Sequence, residues 1–134
     1  MIVSQLAKKA GVSSNVVRYY TKIGLVEPRR NDSNGYKLYQ SDDIHKIKFI
    51  LRAKELGFTL NHIRELLDRV KKGESVCALV RDRMEVNIEE CEKKISQLSE
   101  QKSRMESALK KWQRLPNEYP NTNVWCHLIE QPDE

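Results

Sequence analysis

The chain has 134 residues, 39% hydrophobic and 32% charged, with a net charge of +5. That leaves room for one small domain and an extension, not for two large domains. No apolar run approaches the ~20 residues of a membrane helix, and the start MIVSQLAKKAGV lacks a leader pattern, so a cytoplasmic protein without membrane contact is expected. The charge is uneven. Residues 1–72 hold 15 Lys+Arg against 7 Asp+Glu, and residues 73–134 hold 9 against 12. A basic first part on an acidic second part points to a polyanion partner for the first part alone.

In chain order, Ser4 is placed to cap a first helix running to about Lys9, with Leu6 and Ala7 inward. AGVS is a tight turn around Gly11. Ser13 or Ser14 then caps a second helix, NVVRYYTKI, ended by Gly24. Two short helices about a Gly-containing turn, over about residues 4–23, fit a helix-turn-helix. Pro28 excludes helix, and Asn34-Gly35 between apolar flanks predicts a hairpin, a basic wing over about 28–40 that includes Arg29 and Arg30. Ser41-Asp42-Asp43 opens a third helix with a hydroxyl cap and two acids, and Thr59 caps a fourth; Gly57 and Gly73 follow their ends.

From about Ser75 to Leu115 there is neither Pro nor Gly. Apolar residues fall on two seven-residue ladders: Ile88, Ile95, Lys102, Leu109, and Cys91, Leu98, Met105, Trp112. This predicts a coiled-coil helix of roughly 60 Å that needs a second copy to cover its stripe. Pro116 and Pro120 end it and leave a short tail. The organisation expected is therefore 1–72, a winged helix-turn-helix; 73–115, a dimerisation helix; and 116–134, a C-terminal effector tail.

The second helix carries the chemistry of a duplex reader. Val16 and Val17 anchor it, while Ser14, Asn15, Arg18, Tyr19 and Lys22 cover much of its remaining surface. Arg18 can take two guanine acceptors or grip a phosphate, and the hydroxyls of Ser14, Tyr19 and Tyr20 suit phosphate oxygens. No nucleophile motif, phosphate loop or paired-histidine helix indicates an enzyme.

SQLAKKAGVSSNVVRYYTKIGLVEP followed by NGYKLYQSDDIHKIKFILRAKELGFTLNHIRELL resembles the MerR family of bacterial transcriptional regulators, continuously over about residues 1–72. The resemblance implies a mainly α fold, with a winged helix-turn-helix, a long antiparallel coiled-coil dimerisation helix and a short effector loop. It implies recognition-helix contacts from Ser14, Asn15, Arg18, Tyr19 and Tyr20, wing contacts from Tyr36 and Lys37, and a backbone contact from Arg52. The family usually has Arg where Lys37 stands. Lysine keeps the charge and loses the planar fork. The resemblance further implies a homodimer on promoter DNA beside RNA polymerase. There the effector bends and untwists the duplex so that misaligned −35 and −10 elements realign, a deformation on the order of several kcal/mol.

The metal-sensing branch of that family has a cysteine at the start of the long helix in sensors of divalent ions. Cys77 stands there. VWCHLIE resembles the far end of the family's metal loop, so Cys126 matches a ligand, but the near-end cysteine is absent: the chain has Pro116 and Asn117. One reading is that Cys77 and the partner's Cys126, completed by His127 or water, hold Zn2+ or a softer ion such as Cd2+, Pb2+ or Hg2+. In a second reading the two thiols sense oxidants or electrophiles. A third makes them packing residues. A coiled coil binding DNA without sequence preference is the alternative outside the regulator class. Cys91, on a ladder, reads as packing.

Overall fold

The computed structural model describes residues 1–131. Its elements are α1 (Val3–Ala10), α2 (Ser14–Lys22), β1 (Arg29–Arg30), β2 (Lys37–Leu38), α3 (Ser41–Glu55), α4 (Leu60–Lys71) and α5 (Cys77–Trp112). The chain divides into two compact units, Met1–Ile88 and a second beginning at Glu89. Among the described residues no helix is long and apolar enough to cross a membrane.

The first unit, the head, closes one core. Leu6 from α1, Val17 from α2, Val26 after it, Ile47 and Ile50 from α3 and Ile63 from α4 are all fully buried. Each contributes about 1.5–3 kcal/mol by leaving water. The α1–α2 turn is made by Gly11 at φ 74°, a left-handed conformation that suits glycine. The head extends past residue 72. Val76, Leu79, Val80 and Met84 pack against its core, which draws the start of α5 into it.

Two helix starts differ from expectation. Ser4 lies inside α1; the cap contact instead comes from Gln5, whose Oε1 accepts the Ile2 N–H at 3.0 Å. Ser41 is already helical in α3, and Asp43 accepts the Gln40 N–H at 2.8 Å. In both, a side chain of the first turn reaches back to an N–H that the helix leaves free, and the carboxylate also sits at the positive dipole end. Ser13 and Thr59 cap as expected, accepting from the N–H groups of Val16 and His62.

The wing pairs Arg29 with Leu38 and Arg30 with Lys37, antiparallel. Its loop is wider than the two-residue turn Asn-Gly often makes. The Asn31 N–H donates to the Tyr36 carbonyl and the Gly35 N–H to the Asn31 carbonyl, both at 2.8 Å.

In the second unit α5 continues to Trp112, three residues short of the expected end at Leu115. Its ladder residues Ile95, Leu98, Met105 and Leu109 are 53–62% exposed. Beyond α5 the tail turns on Asn121, whose Oδ1 accepts the N–H groups of Asn123 and Val124, and a single helical turn joins the Glu130 N–H to the Cys126 carbonyl at 3.0 Å.

Candidate nucleic-acid interface and thiol tail

α2 is two-sided. Val17 and Tyr20 are buried, while Asn15, Arg18, Tyr19 and Lys22 are exposed and Ser14 is half-buried. The exposed positions recur three and four apart, so they share one flank of the helix. Asn15 Oδ1 accepts from the Arg18 guanidinium at 3.0 Å, which orients that side chain before any ligand arrives.

Tyr20 turns its ring inward. It lies in the core, 5.9 Å from the Tyr19 ring. Burial, with a smaller contribution from Tyr19, raises the pKa of its hydroxyl. The position belongs to the inward stripe with Val17, three residues before it, so any phosphate contact comes from the hydroxyl tip alone.

Two contacts that the residue pattern did not reveal hold α2 in place. Thr21 Oγ1 donates to the Val17 carbonyl at 2.8 Å and lies 2.7 Å from the Tyr39 hydroxyl, which ties the helix to the wing exit. Arg64 of α4 donates to the Ile23 carbonyl at the end of α2. The only hint in sequence was a hydroxyl four residues after an inward valine, able to bond back along the helix.

Arg18, Lys22, Arg29, Arg30 and Lys37 pair with no acid among the described residues. Arg30 faces Lys37 directly across the wing, a like-charge pair that weakens an isolated hairpin and that an anion relieves. Tyr36, two-thirds exposed, projects beside it. Arg52 is also exposed but lies 3.4 Å from Glu55, a surface pair weak enough for a phosphate to displace.

The thiols are differently placed. Cys77 is the first residue of α5 and exposed, Cys126 is half-buried, Cys91 is exposed on its ladder, and all three are unbridged. Glu130 accepts the N–H groups of Trp125 and Cys126 at 2.7 and 2.6 Å, so one carboxylate fixes the backbone at Cys126. Trp125 is 82% exposed.

His127 is held within the tail. Its Nδ1 lies 2.9 Å from Glu118 Oε2 and its Nε2 lies 3.1 Å from the Tyr119 carbonyl. A neutral imidazole donates from one nitrogen only, so the other keeps its lone pair. Among the described residues no three His, Cys, Asp or Glu side chains gather as they would around a metal ion.

A family model described as MerR HTH family regulatory protein matches residues 1–70, and a second, described as MerR, DNA binding, matches residues 44–108. The chain belongs to the MerR family. It is a DNA-binding transcriptional regulator, as the resemblance of its first 72 residues implied. Among its MerR-family relatives is the mercuric resistance operon regulatory protein of Bacillus cereus, 39% identical over 72% of this chain and 73% of that one. The HTH-type transcriptional regulator ZntR of Escherichia coli is 30% identical over 96% of this chain and 89% of its own. The fold also matches a transcription regulator of Ralstonia metallidurans crystallised with lead(II), with a TM-score of 0.72 at 22% identity over 96% and 97% of the two chains.

Proposed function

We propose that two copies of this chain associate through the α5 ladders, present paired heads to promoter DNA beside RNA polymerase, and change the duplex geometry when Cys77 and Cys126 take up a soft divalent metal ion. The observation that carries the DNA half of this reading is the two-sided α2. Val17 and Tyr20 are buried, while Asn15, Arg18 and Tyr19 stand open next to cations that no acid neutralises. Asn15 and Arg18 suit base edges. Ser14, Tyr19, Tyr36, Lys37 and Arg52 suit phosphates. The exposed ladder of α5 supports the second copy, since such a stripe is stable in water only when covered.

The metal half rests on two unbridged thiols and on a 39% identical relative named for mercuric resistance. Thiolates favour soft ions, and a bound ion would tie the two sulfurs together. The donors in this reading are the two thiolates, completed by His127 or by water. Two reduced thiols also fit a cytoplasmic setting.

Reduced protein, bound to a duplex selected from random sequence, tests the reading by titration with Zn(II), Cd(II), Pb(II), Hg(II) and Cu(I). One of these ions is expected to change duplex bending, and Cys77→Ser or Cys126→Ser to remove the response. Bending that answers to peroxide and to none of the ions would assign the thiols to redox sensing instead.

A further inference from the structure

The head meets α5 through a small group of polar contacts that the DNA-binding surface does not use. Asn87 is 9% exposed, and its Nδ2 donates to the Leu56 carbonyl at 3.0 Å, at the end of α3. Its Oδ1 is fully buried and has no hydrogen-bond partner. Gly57 lies against it: a Cβ there would come 3.3 Å from Asn87 Nδ2, and the backbone holds φ at +89°. One turn earlier on the same face of α5, Arg83 contacts Nε2 of His62, the residue that pairs with the Thr59 cap of α4.

Neither polar contact is complete. A buried acceptor without a donor is destabilising, so a merely space-filling role would favour an apolar side chain at Asn87. His62 lies between two donors, the Thr59 N–H on Nδ1 and the Arg83 guanidinium on Nε2. A neutral imidazole accepts at one nitrogen only, so one donor is always unmet. The α3–α4 turn is therefore clamped to α5 by tight packing and by two under-satisfied polar contacts.

We infer that Asn87 and Arg83, closing on Gly57 and His62, form a latch that fixes the pose of α5 on the head and thereby the spacing between the two half-sites a dimer accepts. The inference rests on the dimeric reading above. Cys77 lies ten residues, roughly 15 Å, before Asn87 on the same helix, so a change at that thiol reaches the latch through rigid backbone.

The test needs no metal. Half-sites from a selected duplex are rejoined with spacers of graded length, and binding to each is measured for the reduced, full-length protein. The wild type is expected to prefer one spacing by roughly tenfold or more, the range of an ordinary coupling energy. Asn87→Ala and, separately, Arg83→Met are expected to cut that preference to about threefold or less while affinity for a single half-site holds. Arg83 sits at the edge of the contact, so its variant keeps the test open where Asn87→Ala fails to fold. A preference retained within about twofold in a folded variant overturns the latch alone. A wild type with no spacing preference overturns the dimeric reading, and the latch with it.

Discussion

The head and the segment that follows it use apolar side chains in opposite ways. In the head most are spent inside, where six aliphatic residues reach complete burial. Beyond Glu89 they are turned outward, and the ladder of Ile95, Leu98, Met105 and Leu109 stays more than half exposed in the single chain. The head closes its core within the chain, whereas the long helix leaves its stripe uncovered there. In the proposed reading function divides along the same line, with duplex reading in the closed part and association in the open part.

The sharpest way to break this contrast is by truncation of one side chain in each region. Ile47→Ala should destabilise the head by about 2–5 kcal/mol, seen as a large fall in its thermal midpoint. Leu98→Ala should leave that midpoint nearly unchanged and weaken association instead. Equal effects on both readouts would erase the distinction.

Next in size is Arg18→Ala. A two-pronged base contact is worth about 1–3 kcal/mol per head, so affinity for a selected duplex should fall by roughly 5- to 150-fold from each head while the dimer persists. Selective binding at full strength would refute the role given to α2.

The thiol variants sharpen the comparison at its boundary. Cys77→Ser and Cys126→Ser should abolish any metal-driven change in duplex bending and leave metal-free affinity as it was. His127→Ala should weaken metal binding and leave metal-free DNA affinity as it was, because one ring nitrogen keeps a lone pair. Metal affinity equal to that of the wild type would leave the thiolates and water as the donors. Smallest is Arg30→Ala in the wing. It should reduce affinity evenly across sequences and flatten the salt dependence by about 0.9 for each phosphate that Arg30 neutralises.

The helices and their order were legible because each core stripe is written at helical spacing and each segment closes on a glycine. The wing was legible from Asn34-Gly35, though not the width of its loop, which depends on where Asn31 bonds across it. The inward ring of Tyr20 was legible only from its phase: counted from Val17, it falls on the core side. The partners of His127, and the Arg83 partner of His62, could not be read at all. Each joins residues eight or more apart whose approach is set by the fold rather than by any periodic signal. The unsatisfied Asn87 was likewise invisible, since an asparagine on a charged helix looks like any other polar residue.

Sedimentation of the reduced protein at micromolar concentration tests the central claim most directly. The account predicts a single species at twice the 15.7 kDa chain mass, reverting toward one chain in Leu98→Ala. A wild-type protein that sediments as single chains yet still binds a selected duplex with full affinity would contradict it.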